Sequence, residues 1–251
     1  MPGLAKQPGD SIAKLLQEYY SALRNHFGPQ HWWPARTRLE VILGAILTQN
    51  TTWHNATLAL RKLRKARLIH WQGLFAASLS SLEECVQPSG FYKQKARSIR
   101  GFADWLSQRY GGSLDRLFTL PVELLRRELL GLRGLGPETV DAIILYSAER
   151  PVFVADAYTR RVLGRHGFLS ATSDYHETQE FLHRHLPQDV SLYNEFHALL
   201  VEVGKNHCRR QSPECEGCPL QGFLPGGRAD RPQALAEEPA VTGILPELQS
   251  A

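Results

Sequence analysis

The chain has 251 residues, of which 43% are hydrophobic and 22% charged, and it carries a formal net charge of +4. This length allows one large domain or two small ones, and the hydrophobic content is sufficient for a real core. No run of 18 apolar residues occurs, and residues 1–10 lack the apolar segment of a signal peptide, so we expect a soluble cytoplasmic protein without a membrane partner. The modest positive charge is compatible with nucleic-acid binding but does not require it.

Helical periodicity accounts for most of the chain. Apolar residues recur at helical spacing over residues 11–27, and residues 39–48 are almost wholly apolar, which predicts a central helix. Thr37 and Ser81 each precede a glutamate by three residues, and this spacing predicts two capped helix starts. The other predicted helices cover residues 53–65, 92–110, 121–130, 137–148, 156–165, 174–186 and 192–204. Strand-like alternation is nearly absent, so the predicted fold class is all-α.

Two glycines separated by one residue lie between two of these predicted helices. Gly134 and Gly136 allow a sharp turn and a close approach of the backbone to a ligand, and Pro137 suits the first position of the next helix. The N–H groups at such a helix start attract anions. No nucleotide-binding strand precedes the turn, so we expect the anion to be a nucleic-acid phosphate. The predicted phosphate contacts are Gly134, Leu135, Gly136, Glu138, Thr139 and the downstream Arg160.

A short apolar run, residues 152–155, ends at Asp156, where another predicted helix begins. A carboxylate fixed at such a position can stabilise a positive charge that develops in a reaction, and can orient or deprotonate an attacking water. Aspartate is also a favoured helix N-cap, and most aspartates at helix starts do only that. The upstream glycine turn favours the catalytic role for Asp156. That role requires a carboxylate near a groove shared with the turn, not one enclosed in the interior.

Three of the four cysteines, Cys208, Cys215 and Cys218, are close together in sequence. This grouping is typical of metal ligands and not of a disulfide framework. Cys85 stands apart, and we expect it to be a small buried hydrophobic residue.

The glycine turn, the downstream aspartate and the cysteine group together resemble the endonuclease III superfamily of DNA base-excision glycosylases, which carry a helix-hairpin-helix and a Gly/Pro-Asp motif. The resemblance extends from about residue 32 to residue 218. It implies two helical domains with a DNA cleft between them, one at residues 30–150 with six helices, the other formed by residues 11–29 and 151–224. Residues 1–10 and 225–251 are expected to be disordered tails. The motif is carried by Leu132, Gly134, Leu135, Gly136, Thr139 and the segment 154–158.

The resemblance also implies roles for two residues near the cleft. Bifunctional members place a lysine at the position of Glu138, and its amine attacks C1′ and leads to strand cleavage. A carboxylate cannot form that Schiff base, so a monofunctional glycosylase that uses water is implied. Family members place a glutamine that matches Gln49 into the space left by a flipped base. The alternative for Gln49 is an ordinary polar residue at a helix end.

The substrate prediction depends on the tryptophans near the cleft. The predicted base pocket consists of Trp32, Trp33, Pro34 and Trp53. A flipped base needs flat apolar walls, and a tryptophan face attracts a cationic alkylated purine by roughly 0.5–2 kcal/mol. Trp-Trp-Pro followed by an aromatic residue in the helix after Gln49 resembles the 3-methyladenine DNA glycosylases of the superfamily. The alternative is that these tryptophans pack in the core.

The three clustered cysteines match three of the four ligands of the family's [4Fe–4S] loop. The fourth position falls on Leu224, which cannot ligate. Three alternatives stay open: a cluster with a non-cysteine ligand such as His207, a zinc ion held by His207 and the three cysteines, or a loop without metal. The correct spacing of Cys208, Cys215 and Cys218 favours the cluster.

The sequence thus predicts a monofunctional DNA glycosylase that removes an alkylated purine, 3-methyladenine above all, in base-excision repair. It would act as a monomer on double-stranded DNA with a damaged base, in the cytoplasm and associated with the nucleoid. Two alternatives are a glycosylase for mismatched or oxidised bases, and a DNA-damage binding protein without chemistry. Further candidate phosphate contacts are the basic residues Lys93, Lys95, Arg97, Arg100, Arg161 and Arg165.

Overall fold

The structure is a computed structural model that describes residues 8–33 and 35–224. Pro34 of the predicted pocket, residues 1–7 and the predicted C-terminal tail lie outside the described residues. Within the described ranges the fold is all-α, as predicted, with twelve α-helices and no β-strand. The helices are α1 (Pro8–Phe27), α2 (Arg38–Leu47), α3 (Trp53–Lys65), α4 (Trp71–Ala76), α5 (Leu79–Val86), α6 (Tyr92–Tyr110), α7 (Leu114–Leu117), α8 (Val122–Leu130), α9 (Pro137–Tyr146), α10 (Ala157–Arg165), α11 (Tyr175–His185) and α12 (Val190–Asn206).

The chain separates into two compact units. One unit holds α2 to α9 within Trp33–Arg150, and the other holds α1 and α10 to α12 in the described parts of Met1–Trp32 and Pro151–Glu237. Among the described helices, none combines the length and the apolar character that a membrane span requires.

Helix α2 is the centre of the first unit, as its apolar sequence predicts. Every residue from Leu39 to Leu47 is buried, and α2 packs against α3, α6 and α9. Thr37 caps the helix by accepting the Glu40 N–H at its hydroxyl oxygen (3.2 Å). The Glu40 carboxylate does not return to Thr37. It accepts the Arg36 N–H instead and forms an ion pair with Arg64 of α3, so half of the expected capping pattern is present.

The predicted cap at Ser81 is wrong. Helix α5 begins at Leu79, and the Ser78 hydroxyl oxygen accepts the Ser81 N–H at 3.1 Å. Ser78 is therefore the N-cap of α5, and Ser81 lies inside the first turn, where its own N–H is bound by Ser78. The short helices α4 and α7 were not predicted, since six and four residues are too few to display a helical period.

A buried ion pair joins α8 to α9 on either side of the glycine turn. Arg126 Nε and Nη2 donate to Asp141 Oδ1 and Oδ2 at 2.7 and 3.0 Å, and Asp141 is fully buried. A buried carboxylate without such a fork of donors would be strongly destabilising, so the pair fixes the two helices against each other.

In the second unit, α12 packs against α1 and α10. The extended segment before Asp156 is held at one residue by α11. The Phe153 N–H donates to His183 Nε2 (2.9 Å), and Gln179 Nε2 donates to the Phe153 carbonyl oxygen (2.7 Å). These two bonds satisfy both backbone groups of a buried peptide and so define the path of the chain into Asp156.

Candidate active site

The turn between α8 and α9 has the backbone conformation that its glycines predict. Gly134 has a φ of +87°, and a Cβ at this position would lie 2.1 Å from Ser98 Oγ, so a side chain there would be both strained and in collision. Gly136 is the N-cap of α9, with Pro137 as the first helical residue. The exposed glycines and the start of α9 therefore form the backbone surface expected for an anion site.

Gln49 contacts this turn directly. It follows α2, and its Nε2 donates to the Gly134 carbonyl oxygen at 2.9 Å and to Thr139 Oγ1 at 2.7 Å. The structure thus brings together three of the predicted site residues within the first unit. Gln49 is not a free polar residue at a helix end, because its amide is bound to both ends of the turn.

Lys95 binds backbone carbonyl groups beside the same loop. It is buried, and its Nζ donates to the Leu47 carbonyl oxygen at 2.8 Å and to the Ser89 carbonyl oxygen at 2.6 Å. Burial lowers the pKa of the Lys95 ammonium to about 8. The predicted phosphate contact at Lys95 is wrong, because this ammonium closes the C-terminal end of α2.

An aromatic cluster lies beside the second half of α2, at the start of α3 and the end of α9. Trp33 stacks on Tyr146 with ring centroids 5.0 Å apart and an interplanar angle of 24°, and it meets Trp53 at 5.4 Å and 71°. A Cβ at Gly44 would lie 3.2 Å from the Trp33 indole, so the glycine lets the ring approach α2. Trp33 has a φ of +71°, a strained conformation for a bulky residue and one that recurs at functional sites. Tyr146 was not foreseen from the sequence.

Asp156 is the N-cap of α10, since its Oδ1 accepts the Thr159 N–H at 2.8 Å. The residue is 3% exposed. The capping role that the sequence left as an alternative is therefore present, and the carboxylate is more enclosed than the catalytic role led us to expect. Burial on its own raises the pKa of the Asp156 carboxyl, but His197 and Thr159 lower it by more, so this pKa lies below its ordinary value.

His197 was missed by the sequence analysis. It lies on the buried face of α12, 2% exposed, and its Nε2 is 3.5 Å from Asp156 Oδ2. Trp32, which is also buried, presents its ring edge-on to the imidazole at a centroid distance of 5.6 Å and an angle of 86°. The available signal was a single histidine within the apolar run of α12, a polar group that requires a partner when it is buried.

Two arginines of α10 bind backbone carbonyl groups in the last turn of α12 and in the segment that follows it. Arg161 donates to the carbonyl oxygens of Gly204 (3.0 Å) and Cys208 (2.7 Å). Arg165 is buried and donates to the carbonyl oxygens of Arg209 and Arg210, both at 2.7 Å, and to Cys208 Sγ at 3.2 Å. The phosphate contact predicted for Arg165 is therefore wrong, and the guanidinium of Arg161 is directed to the same loop.

The three clustered cysteines line one cavity of the second unit. Arg165, His207 and Leu224 line it as well. Among the described residues, no group of three or more His, Cys, Asp or Glu side chains is arranged to hold a metal ion. Burial raises the pKa of the Cys218 thiol, and the neighbouring Cys208 and Cys215 act in the same direction.

These residues do not fit a cluster held by four cysteines. The position that would supply the fourth thiolate is Leu224, whose side chain is buried in the cavity wall and offers no donor. The remaining alternatives, a non-cysteine fourth ligand, zinc or no metal, stay predictions.

Comparison with known proteins agrees with the hairpin and with the all-α architecture. The sequence pattern of the HhH-GPD superfamily base excision DNA repair proteins matches residues 43–188. The putative DNA repair glycosylase MJ1434 of Methanocaldococcus jannaschii is 37% identical over 211 residues, which are 84% of this chain and 96% of that protein. Endonuclease III of Thermotoga maritima is 31% identical over 181 residues, 72% of this chain and 79% of its own.

Solved structures show the same fold. The crystal structure of the H. pylori 3-methyladenine DNA glycosylase MagIII bound to 1,N6-ethenoadenine superposes with a TM-score of 0.66 at 29% identity, covering 79% of this chain and 98% of that one. A trapped covalent complex of endonuclease III with DNA has a TM-score of 0.72 at 24% identity, covering 88% and 98%, and shows the shared fold.

The helix-hairpin-helix turn, the capped aspartate after it and these relatives define a DNA glycosylase of base-excision repair. The chain belongs to the HhH-GPD superfamily of base excision DNA repair proteins.

Proposed function

We propose that this glycosylase is monofunctional and removes alkylated purines, 3-methyladenine above all, from duplex DNA. The observation that carries the substrate class is the cluster of Trp33, Trp53 and Tyr146, in which a strained backbone holds one indole stacked on a second aromatic ring. Aromatic faces attract a cationic base, which is also a good leaving group. The similarity to a 3-methyladenine glycosylase solved with an ethenoadenine base supports this choice.

The absence of a lyase step is proposed from Glu138. This residue lies in the first turn of α9, at the position where the family resemblance places the Schiff-base lysine of bifunctional members. A carboxylate cannot attack C1′ to form an imine. Lys95 cannot replace it, since its Nζ is buried and donates to two carbonyl oxygens.

Asp156 is proposed as the catalytic carboxylate. The cap uses Oδ1, and each carboxylate oxygen has a further lone pair for a substrate or a water molecule. An ionised group in a dry site interacts strongly with a developing oxocarbenium charge. Because the carboxylate is enclosed in this structure, nucleotide binding has to be accompanied by a local rearrangement around it.

In this proposal the backbone of the glycine turn and the start of α9 hold a phosphate. Gln49 would leave its bonds to the turn and occupy the space vacated by the flipped base. The roles predicted from the sequence for Arg160 at a phosphate, and for Trp32 and Pro34 in the base pocket, stay predictions.

A base-release assay on duplex oligonucleotides, each with one defined lesion, tests the proposal. We expect release of the alkylated purine, identified by chromatography, without a strand break until alkali is added. Borohydride should trap no protein–DNA adduct. Release of oxidised or mismatched bases instead, or an adduct with borohydride, would overturn the substrate class or the monofunctional assignment respectively.

The variant D156N tests the aspartate, because asparagine is as good an N-cap as aspartate but cannot carry the charge. We expect release to fall by about 100-fold or more. D189N is the matched control, since Asp189 caps α12 in the same unit through its bond to the Leu192 N–H (2.6 Å). Equal release by wild type and D156N would remove the catalytic assignment.

A further inference from the structure

His197 is a buried titratable residue of the second unit that lies beside Asp156 and that the proposed reaction does not use. The four residues around His197 on α12, Phe196, Ala198, Leu199 and Leu200, are all buried and apolar. A histidine in such a run is destabilising unless its ring nitrogens meet polar groups. The Nε2 edge faces Asp156 Oδ2 at 3.5 Å, an ion-pair distance.

The imidazole is held in one orientation by aromatic edges. Trp32 meets the ring at 86°, and Phe153 meets it at 87° with centroids 6.4 Å apart. Phe153 is itself fixed, since both of its backbone groups are bonded to side chains of α11. Rotation of the imidazole away from Asp156 would therefore require movement of a packed core.

The two carboxylate oxygens are divided between two neighbours. Oδ1 accepts the Thr159 N–H, which any N-cap aspartate would do, while Oδ2 faces the histidine. Helix capping explains the contact of Oδ1 with the Thr159 N–H, but it does not explain the contact of Oδ2 with His197. The second contact controls the direction and the charge of the oxygen that the helix start does not use.

We propose that His197 is a positioning residue that keeps Asp156 ionised and holds Oδ2 in a fixed direction during base release. The inference rests on the proposed catalytic role of Asp156. His197 acts through the carboxylate and needs no contact with the DNA. This interaction requires a proton on Nε2, the ring nitrogen that lies 3.5 Å from Asp156 Oδ2.

Few other charged groups surround the pair. Lys205, also on α12, favours the ionised form of Asp156 through space and is itself 3.6 Å from Glu202. On α11, His183 is bonded to the Phe153 N–H. The protonation of Asp156 is therefore sensitive to His197 first, and removing the imidazole leaves the cost of burial less well compensated.

The test compares H197F and H197Q in single-turnover base release between pH 3 and pH 9. Phenylalanine keeps the aromatic packing and removes the donor, so we expect release at neutral pH to fall about tenfold and the acidic limb of the profile to move up by about one pH unit. Glutamine retains an N–H donor, so H197Q should restore part of the release rate at neutral pH and reverse part of the shift in the acidic limb. H185Q is the control, because His185 is bonded to the Phe181 carbonyl oxygen on α11 (2.8 Å), and its profile should match wild type.

The carboxyl ¹³C signal of Asp156 gives a second readout that does not depend on activity. Its titration midpoint should rise in H197F and less in H197Q. If wild type releases no base while this shift occurs, the pairing stands and the proposed function fails. If wild type releases base and neither the acidic limb nor the ¹³C midpoint moves in the folded variants, the role of His197 is overturned. If H197F does not fold, the pH profile of H197Q and the titration midpoint of its Asp156 ¹³C signal decide between these outcomes.

Discussion

Gln49 Nε2 lies 2.7 Å from Thr139 Oγ1, so the predicted wedge residue and the helix after the hairpin are hydrogen-bonded to each other. The same amide donates to the Gly134 carbonyl oxygen. A side chain that fills a gap in DNA must break both bonds, which leaves the Gly134 carbonyl oxygen and the Thr139 hydroxyl without this donor. Wedge insertion would then be energetically linked to the loss of two hydrogen bonds at the hairpin.

Replacement of the wedge tests this link. In Q49A, release from a fully paired duplex should fall about tenfold, because the flipped state loses the group that fills the vacated space. Release from a duplex in which the lesion is already bulged should change little. The exposed Gln94 provides the control Q94A. An equal loss on paired and bulged lesions would argue against a wedge.

Trp53 should discriminate between charged and neutral bases. In W53L, release of a cationic alkylpurine should decrease by about 2- to 30-fold, the range that corresponds to roughly 0.5–2 kcal/mol of cation–π attraction. A neutral damaged purine should be affected less. W105L is the comparison, since Trp105 packs on Phe102 and Tyr110 in another part of the same unit. Equal losses for both bases would indicate that Trp53 has only a packing role.

Lys95 gives a pH dependence of stability whose sign is fixed by its burial. Its pKa falls from 10.5 to about 8 in the folded protein, so between these values the unfolded chain binds more protons than the native one. The free energy of unfolding of wild type relative to K95M should therefore rise as the pH increases from about 8 to 10.5. Urea titrations at several pH values measure it. The exposed Lys93 supplies the control K93M.

The cysteine cavity can be completed by one substitution. Leu224 lines it together with the three cysteines, so L224C supplies a fourth thiol at the position of the missing ligand. After anaerobic reconstitution with iron and sulfide, L224C should gain iron, sulfide and a brown colour that wild type and L224S lack. A stoichiometric cluster in wild type would show that another residue provides the fourth ligand.

The sequence predicted what local patterns control. The apolar run of α2, the turn at Gly134 and Gly136 and the cap at Asp156 were all visible, because each depends on neighbours within a few residues. Most of the predicted helices begin or end one or two residues away from the predicted boundary. The second serine cap was misplaced because two serines competed for one N–H group.

Partners distant in sequence could not be predicted. His197 meets an aspartate 41 positions earlier, and Lys95 meets a carbonyl group 48 positions earlier. Helical periodicity relates residues only within one helix, so it does not reveal these contacts. Only the packed fold brings these groups together. Both histidine and lysine were nevertheless conspicuous as polar residues on buried helix faces, which is the signal to follow in similar chains.

Helix α10 carries Asp156 at its first end and Arg165 in its last turn. Nine residues of α-helix form a strut of about 14 Å, stiff enough to transmit a displacement from one end to the other. Arg165 binds the cysteine loop through Cys208, Arg209 and Arg210, so one short helix joins that loop to the proposed catalytic carboxylate. On the proposed role of Asp156, a change in the cysteine loop is expected to slow base release more than it weakens DNA binding.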